Sequence, residues 1–581
     1  MSVELWGKTV VLLAMMVLSA HAAAAGFRDL QSDTWVAADA LGRILPGHAE
    51  CGGRRPGKTV GIFYFIWHGQ HGTGGPYDIT KILAENPQSP SWGPPNAFHH
   101  WGEPELGYYV AGDEYVLRKH ARMLANAGVD VIILDVTNAF TYTGAYLKLC
   151  EVYRQLRREG LQTPQLCFIT NSSHDTTVTK LYEDFYSKGL YPELWFRWLG
   201  KPLILSRSDG LSSEIRDFFT FRQSWAWSST EWFGDGRNKW TWLDHYPQKP
   251  GWHVEGIPEE ISVCVAQHPT ANIGRSFHGG KQPSPERFES DRGLCFAEQW
   301  ERALEVDPAF VFITGWNEWV AQRFLSDGNQ HLAGRKLPRG ESYFVDQYNH
   351  EYSRDIEPMR GGHTDTYYYQ MIGYIRRYKG VRRPEPASAP VTIQIDGDFA
   401  DWRNVRPEFR DHVGDTEHRR SAGWGCAGIY TNTTGRNDFE LLKVARDRTS
   451  IYFYARTVEP ITSHTDRNWM LLFIDADSDP STGWHGYDYL IKASVIDSTS
   501  TTLKKNLGGW RWSSGQRIPY RVRGNELELA VPRSALSLAS DPVSFEFHWA
   551  DNIQKPGEII EFAVSGDSAP DRRFNYRYAS R

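Results

Sequence analysis

Between positions 58 and 380 two patterns of apolar residues alternate along the chain: short continuous runs, and segments with apolar residues three and four positions apart. Runs of mostly apolar residues, typical of buried strands, begin at Thr59, Val129 and Phe310. Residues 113–127 instead carry apolar side chains three and four positions apart and end at Gly128, as an amphipathic helix does. Strands that alternate with helices over about 320 residues predict parallel pairing. The favoured fold for residues 50–380 is therefore an α/β, (β/α)8 TIM-type barrel.

The other elements of the barrel follow the same alternation. Further strands are predicted at residues 165–170, 202–206, 220–227 and 261–267, and further helices at residues 145–159 and 294–304. A doubly wound sheet is the alternative, but no G-x-G-x-x-G follows the first strand. In a barrel the functional site collects at the carboxyl ends of the strands. Polar and aromatic residues at those ends are therefore the first candidates for chemistry.

A proline-rich stretch at residues 381–390 separates the barrel from a second pattern. Proline fixes φ and removes a backbone donor, so this stretch is predicted to be a semi-rigid linker. Short strands are then predicted at residues 391–395, 450–455, 469–474, 487–493, 526–531 and 544–549. Turn residues separate them, and residues 391–581 are predicted to form an all-β sandwich.

The first 25 residues are typical of a secretory signal peptide. Lys8 precedes an apolar run at residues 10–18, and Ala20-His21-Ala22 resembles a cleavage site. The apolar run is short for a membrane span, and an uncleaved anchor is the alternative. We therefore expect a secreted or periplasmic protein with no stable membrane insertion.

Composition narrows the class of protein. The chain has 581 residues, of which 40% are hydrophobic and 23% charged, with a net charge of -6. These values argue against a disordered chain and against a nucleic-acid partner. Aromatic residues make up 14%, including 23 tryptophans, which favours a groove for a flat ligand such as a sugar. Of six widely spaced cysteines, Cys150, Cys167 and Cys264 lie in apolar runs and are expected in the core.

The sharpest local feature follows the strand predicted at residues 310–314. That strand runs directly into an Asn-Glu pair between two tryptophans, Trp316-Asn317-Glu318-Trp319. Indole rings around a carboxyl remove water from it and raise its pKa, as catalytic acids require. The alternative is a structural Glu318–Arg pair at the barrel rim. No H-E-x-x-H and no G-x-S-x-G occurs, so neither a catalytic metal nor a serine hydrolase is expected.

Glycoside hydrolysis needs a second carboxyl. Asp135, at the end of a predicted strand, is the best candidate, with capping of the next turn as its alternative role. Asp355 and Glu357 are further candidates in the last loop of the barrel. Arg354 lies beside them in sequence, which favours a structural ion pair over a catalytic role. Residues predicted to contact substrate are Tyr64, Trp67, His68, Trp227, Glu231, His268, Trp316, Asn317 and Trp319.

The barrel resembles glycoside hydrolase family 99, the endo-α-mannosidases, and related family 71-like proteins. The residues that carry the resemblance are Gly61-Ile62-Phe63-Tyr64, the stretch at 125–131 and Thr314-Gly315-Trp316-Asn317-Glu318-Trp319. The resemblance implies a barrel that acts on α-linked glycans, with Glu318 acting at a sugar 2-hydroxyl. It also implies an acid three residues later, where this chain has Ala321. The acid must then come from elsewhere, or the chemistry differs or is lost.

The C-terminal domain resembles carbohydrate-binding module family 9. The residues that carry this resemblance are the entry turn at 395–402 and the segment at 473–489. Alternate acids in that segment, Asp475, Asp477 and Asp479, resemble a structural calcium loop, with a solvated acidic turn as the alternative. Trp484, Trp510 and Trp512 are candidates for a sugar platform or for core packing.

The sequence therefore predicts an exported glycoside hydrolase that acts on a polysaccharide or glycan. Glu318 is its expected base or nucleophile and Asp135 its partner, with no cofactor for catalysis. The main alternative is a non-catalytic glycan-binding protein on a degenerate hydrolase barrel. A surface assembly protein built from two scaffold domains is a third hypothesis.

Overall fold

The computed structural model describes residues 27–72 and 74–580, so the predicted signal peptide at residues 1–25 lies outside the described residues. The chain divides into two compact units. The first contains Arg54–Gly380 and Ser421–Tyr430, and the second contains Arg28–Gly53, Val381–Arg420 and Thr431–Arg581. The second unit thus includes Arg28–Gly53, which precedes the barrel in sequence. The first unit includes Ser421–Tyr430, which follows the predicted linker in sequence.

Eight parallel strands form a nearly closed barrel in the first unit. They are β1 Thr59–Tyr64, β2 Val131–Val136, β3 Gln165–Thr170, β4 Lys201–Leu205, β5 Thr220–Ala226, β6 Lys239–Leu243, β7 Pro258–Cys264 and β8 Phe310–Thr314. Their order in the sheet is β6-β5-β4-β3-β2-β1-β8-β7. Because each strand lies beside its neighbour in sequence, the order is that of a barrel and not of a doubly wound sheet. The architecture is compatible with the predicted TIM-type fold.

Helices follow six of the eight strands. They are α1 Glu114–Ala127, α2 Thr143–Arg158, α3 His174–Leu181, α4 Ser213–Phe218, α5 Leu294–Val306 and α6 Thr366–Lys379. Asp113 caps the start of α1, and Gly128 ends it in the left-handed conformation with φ of 82°. Within residues 27–72 and 74–580, no helix follows β5 or β6 directly, and none is long and apolar enough to cross a membrane.

Alternate strand residues face the barrel interior, as the period of two requires. Phe63 on β1, Ile133 on β2 and Phe312 on β8 belong to one buried cluster. Asp135 lies two residues beyond Ile133 and so faces the same interior at the carboxyl end of β2. Tyr64 follows Phe63 and points outward, towards the helices.

Several short elements lie outside the barrel. The helices are His48–Cys51, Ile79–Glu85 and Glu561–Val564, and the strands are Phe98–His100, Arg197–Trp198, Gly251–Trp252, Val320–Leu325, His331–Leu332, Arg335–Lys336, Ser342–Phe344, Arg419–Ala422 and Ile429–Asn432. The buried cysteines Cys150, Cys167 and Cys264 lie in the core of the first unit, as predicted.

The second unit is built on antiparallel strands. They are β9 Glu408–Arg410, β10 Phe439–Arg446, β11 Ser450–Thr457, β12 Leu471–Asp475, β13 Tyr489–Val495, β14 Ser500–Lys505, β15 Gln516–Arg523, β16 Glu526–Pro532, β17 Ser544–Asp551, β18 Asp567–Ala569 and β19 Tyr576–Ala579. The order is β9-β10-β11-β16-β15-β14-β13-β12-β17-β18, with β19 also on β17. The backbone N–H of Phe439 on β10 donates to the Asp567 carboxylate on β18 at 2.7 Å, so the two ends of the sheet meet, as in a sandwich or a barrel.

One predicted strand of the second unit is wrong. Residues 391–395 have no strand assignment, although the Val391 N–H donates to the Arg446 carbonyl oxygen at 2.8 Å. The apolar alternation of this segment reflects burial of Ile393 against Trp402 and its neighbours, not pairing in a ladder.

The barrel closes between β6 and β7 through side chains. In the described part of the chain no backbone ladder joins these strands. Instead, the Thr241 N–H donates to the Glu260 carboxylate at 3.0 Å, and the hydroxyls of Thr241 and Ser262 lie 2.9 Å apart. At the amino-terminal end of these strands, the short strand Gly251–Trp252 pairs with the start of β7. A Cβ on Gly251 would lie 1.7 Å from the Lys239 carbonyl oxygen, so only glycine fits between the two strands. We call this junction the seam.

Glu260 is fully buried in the seam, and burial raises its pKa well above the ordinary value of 4.5. A folded-state pKa above the unfolded value means that folding stability is lost as the pH rises above 4.5. Glu260→Gln, which resembles the protonated acid, should remain close to wild type at pH 5 and be more stable than wild type at pH 8. Glu260→Ala, which leaves the Thr241 N–H unpaired beside a cavity, should cost about 2–4 kcal/mol. Chemical unfolding at the two pH values tests both, and an unchanged pH dependence in Glu260→Gln would contradict this account.

Candidate functional site

Glu318 reaches the barrel mouth on a short segment that follows β8. The Gly315 N–H donates to the Arg354 carbonyl oxygen at 2.7 Å, and the Glu318 N–H donates to Asp355 Oδ1 at 2.7 Å. A Cβ on Gly315 would lie 3.2 Å from the same Asp355 oxygen, so glycine allows this close approach. The Arg354 backbone and the Asp355 side chain therefore hold Glu318 at the carboxyl end of the barrel.

The Glu318 carboxylate is bound by a buried arginine. Its Oε2 accepts from Arg354 Nη2 at 2.9 Å and from Gln347 Nε2 at 3.2 Å. Gln347 also donates to Asp355 Oδ2 at 3.0 Å. The Arg354 guanidinium lies 5.1 Å from the centre of the Trp242 ring, which forms the floor beneath it. The structural Glu–Arg pair that the sequence left open is therefore present.

The mouth concentrates carboxylates around that one guanidinium. Burial raises the pKa of Glu318 well above its usual range, and the nearby charges of Asp346, Asp355 and Asp135 add to the effect, against the opposing charge of Arg354. Burial raises the pKa of Asp355 to about 6. An acid with a raised pKa beside other carboxylates is the arrangement that general acid–base catalysis uses.

Asp346 is a candidate that the sequence did not identify. Its Oδ1 lies 3.9 Å from Arg354 Nη2, the atom that binds Glu318 at 2.9 Å. The sum of the two distances is an upper limit for the separation of Glu318 Oε2 from Asp346 Oδ1. The Asp346 side chain is 55% exposed, whereas Glu318 is almost fully buried. Asp346 follows the peripheral strand Ser342–Phe344 and not a barrel strand, so the strand-end rule could not find it.

Asp135 lies at the mouth, but both of its oxygens are engaged. Trp67 Nε1 donates to Oδ2 at 2.9 Å, while the N–H and hydroxyl of Thr137 donate to Oδ1 at 3.0 and 2.8 Å. Burial raises the pKa of Asp135. Asp135 thus caps the turn after β2 and also fixes the Trp67 ring beside the mouth.

Aromatic rings line the β1–β2 side of the mouth. Trp67 stacks on Tyr142 with ring centres 5.7 Å apart and planes at 9°, and it also contacts His71 and Phe98. Phe140, at the outer end of this group, is 57% exposed. We call Trp67, His71, Phe98, Phe140 and Tyr142 the aromatic wall. Only Trp67 among them was predicted, because Phe98 lies on a short strand outside the barrel and the others lie in the loops that follow β1 and β2.

Trp227 and His268 lie across the barrel from this wall, after β5 and β7. Their ring centres are 6.5 Å apart, and Trp227 also stacks on His245. Burial, with the nearby charge of Arg354, lowers the pKa of His268 to about 4, which keeps its imidazole neutral at pH 7. Glu231, predicted beside them, is exposed in the turn after β5.

Three other predicted contact residues are buried behind the mouth. Trp319 is fully buried and stacks on Trp101 at 4.3 Å, and Trp316 is fully buried among the aromatic residues of the helix layer. Neither ring presents a face to a ligand in this structure. The Asn317 side chain makes two hydrogen bonds to the Phe65 backbone. Its Oδ1 accepts from the Phe65 N–H at 2.9 Å, and its Nδ2 donates to the Phe65 carbonyl oxygen at 3.2 Å, so it holds the chain just after β1.

Tyr64 and His68 also face away from the mouth. The Tyr64 hydroxyl lies 2.9 Å from His120 Nδ1 on α1, because Tyr64 points to the outer side of the barrel. His68 is buried against Tyr109, with ring centres 5.1 Å apart, and burial lowers its pKa well below the usual range. The structure thus brings Glu318, Asp135, Trp67, Trp227 and His268 together, and it separates the other predicted residues from them.

In the second unit, two of the three predicted calcium ligands converge. Carboxylate oxygens of Asp475, Asp477 and Asp488 all lie within 4.8 Å of one another. Asp479 instead accepts from the N–H of Ser481 at 2.9 Å and closes its own turn. Burial and the charge of nearby acids raise the pKa of Asp475 to about 8, which a bound cation would reverse. This set of hard oxygen donors fits calcium, with Asp488 in place of Asp479.

The three tryptophans considered for a sugar platform pack together beside that loop. Trp484 is buried, with its ring centre 4.5 Å from that of Trp510, while Trp510 and Trp512 are half-buried and 5.5 Å apart. Trp510 and Trp512 thus pack against the core and remain partly exposed.

Neither family models nor curated protein sequences contain a match to this chain. Two solved structures of a GH99 endo-alpha-mannosidase from Bacteroides thetaiotaomicron, one in complex with bis-tris-propane, resemble it. Each is 16% identical; the aligned regions cover 55% and 56% of this chain and 97% and 98% of theirs, with TM-scores of 0.32 and 0.31. Likeness at this TM-score adds nothing to the geometry described above.

The Arg354–Glu318 pair gives a pH-dependent prediction. Arg354→Met removes the cation and leaves Glu318 beside other carboxylates, so it should cost about 3–5 kcal/mol of stability at pH 8. At pH 5 the cost should be smaller, because Glu318 can take up a proton. The matched control is Arg335→Met, which breaks an exposed pair with Glu341 and should cost less than about 1 kcal/mol at either pH. Thermal unfolding at both pH values measures this, and an equal cost at pH 5 and 8 would mean that Arg354 acts through packing alone.

Proposed function

We propose that the chain is an exported glycoside hydrolase that binds a glycan across the barrel mouth. The observation that carries the proposal is the placement of Glu318 and Asp346 on one guanidinium nitrogen, Arg354 Nη2, at 2.9 and 3.9 Å. One carboxyl is buried with a raised pKa, and the other is open to solvent. The shared nitrogen keeps the two carboxyls closer together than the widest spacing at which glycosidases work, about 9.5 Å.

The environments of the two carboxyls suggest their roles. Glu318, whose raised pKa favours the protonated form, would donate a proton to the glycosidic oxygen as that bond to the anomeric carbon breaks. Asp346 would act from the solvent side, either by taking a proton from the attacking water or by attacking the anomeric carbon. Asp135, predicted as the partner from its position in the sequence, has both oxygens engaged and would position Trp67 instead.

The aromatic wall would supply much of the binding energy. Its rings give flat apolar faces beside polar groups, which is the usual lining of a small-molecule site. Trp227 and His268 would bind from the other side of the mouth. The predicted contacts through Trp316, Asn317 and Trp319 would then be indirect, through the shape of the loop that carries Glu318.

A glycan-binding protein without catalysis is the second candidate. Ala321, where the resembled family has its acid, is buried in Val320–Leu325 and pairs with His99. Glu318 is also already bound to Arg354. A mouth that binds sugars with no working acid would have both features.

The other predictions stay as proposals. Export rests on the signal-like sequence at residues 1–25. A structural calcium ion at Asp475, Asp477 and Asp488 is supported by the convergence of their oxygens. Carbohydrate binding by the second unit is supported by the partial exposure of Trp510 and Trp512.

Substitution of the carboxyls tests the mechanism. Glu318→Gln and Asp346→Asn should each lower kcat by about 10²–10⁴-fold with little change in glycan affinity. Asp135→Asn should have a smaller effect, on the order of 10-fold, and mainly on KM. The control is Glu305→Gln on the exposed face of α5, which should behave as wild type. Rates are measured on a panel of α- and β-linked polysaccharides.

Two results decide between the candidates. If wild type cleaves none of the panel but retains several polysaccharides on an affinity gel, the protein binds glycans without cleaving them. If Glu318→Gln cleaves as fast as wild type, the proposed role of Glu318 is wrong.

The aromatic wall gives a separate binding test. Tyr142→Ala and Phe140→Ala should each weaken glycan affinity by about 5–30-fold, which corresponds to the loss of a well-placed aromatic contact. Trp316→Phe, at a fully buried ring, should leave affinity unchanged. Calorimetry with a retained glycan measures this, and equal losses in all three variants would show a general effect on folding and not on the wall.

A further inference from the structure

Three aspartates converge in the second unit, away from the calcium-like loop. Carboxylate oxygens of Asp411, Asp415 and Asp567 all lie within 4.8 Å of one another, and all three residues are buried. Asp411 and Asp415 follow β9, at one end of the sheet, and Asp567 begins β18, at the other end. The cluster therefore lies where the two ends of the sheet meet.

Asp411 gives an independent sign that something is bound there. Its side chain is fully buried, and within the described residues neither carboxylate oxygen has a hydrogen-bond partner in good geometry. Asp567, by contrast, accepts from the N–H groups of Phe439 and Ser568 at 2.7 and 2.8 Å. A buried, unpaired carboxylate is expensive, so it needs either a proton or a cation.

The electrostatics of the cluster are those of an anionic cage. Burial and the charge of Asp415 raise the pKa of Asp411 well above its usual range, against a weaker effect of the His412 N–H. Burial and the charges of Asp415 and Asp411 also raise the pKa of Asp567 well above its usual range. The Asp438 carboxylate also contributes to both shifts, so a fourth acid faces the cluster. Such mutual repulsion is what a divalent cation removes.

We propose that Asp411, Asp415 and Asp567 bind a calcium ion that fastens the two ends of the sheet. The ligands are hard carboxylate oxygens from two segments, one after β9 and one at the start of β18, with neither sulfur nor imidazole among them. This set favours calcium over zinc. Calcium accepts irregular oxygen cages more readily than magnesium, and Asp438 can add a further oxygen. This site is separate from the one that Asp475, Asp477 and Asp488 would form.

The test uses the whole chain, freed of metal with EDTA and dialysed into metal-free buffer. Addition of millimolar CaCl2 should raise Tm by about 5 °C or more, because the ion binds only the folded state. Asp411→Asn should bind one calcium ion fewer per chain by calorimetry and should lose most of that shift. In EDTA, Asp411→Asn should be at least as stable as wild type, because it removes a buried charge. Asp477→Asn, in the other acidic set, is the matched control and should keep the part of the shift that Asp411→Asn loses.

Terbium luminescence gives a second readout. The Tyr576 hydroxyl donates to the carbonyl oxygen of Arg410, the residue before Asp411, at 2.9 Å. In the Asp477→Asn background, Tb³⁺ should therefore show emission excited through Tyr576, and calcium should displace it. Adding Tyr576→Phe should weaken the emission without changing the calcium stoichiometry, and adding Asp411→Asn should abolish it.

Four outcomes would overturn the proposal. They are an unchanged calcium stoichiometry in Asp411→Asn, a wild-type Tm that responds to neither calcium nor EDTA, an equal loss of Tm in Asp411→Asn with and without calcium, and a response to Mg²⁺ but not to Ca²⁺. If Asp411→Asn does not fold, Asp415→Asn takes its place with the same expectations.

Discussion

The buried guanidinium of Arg354 lies among the carboxylates of Glu318, Asp346 and Asp355, and the barrel mouth depends on it. It binds Glu318 directly, rests on the face of Trp242 and offers the same nitrogen to Asp346. Arg275 brings a second guanidinium to the Asp355 backbone, and its charge acts on the Asp355 carboxylate. Even so, burial raises the pKa values of Glu318 and Asp355. These raised pKa values are a constraint on the structure and, at the same time, the source of any acid chemistry at the mouth.

The barrel was largely predictable because buried parallel strands give unbroken apolar runs. Gln165–Thr170 and Phe310–Thr314 have the bounds that the sequence predicts, and α1 ends before Gly128 as predicted and begins one residue later than predicted. Lys239–Leu243 was missed, because Lys and Thr alternate with its tryptophans and no helix separates it clearly from its neighbours. The strand predicted at residues 391–395 was wrong, because a short alternation of apolar residues shows burial but does not show whether a neighbouring strand is there to pair with.

The candidate site was predictable only in part. Strand ends identified Glu318 and Asp135, because both lie where barrel strands deliver their side chains to the mouth. Arg354, Gln347 and Asp346 come from a long loop, where position in the sequence carries no information about what the loop will meet. Residue type alone also could not say which way a tryptophan points, so the buried Trp316 could not be told from the half-exposed Trp67.

The seam sets the barrel apart in one further respect. A backbone ladder holds neighbouring strands about 4.8 Å apart, whatever their side chains are. Between β6 and β7 that spacing is set instead by the reach of Glu260 and by the hydroxyls of Thr241 and Ser262. The width of the barrel at this junction is therefore defined by three side chains, whereas between the other neighbouring strands it is defined by the peptide backbone.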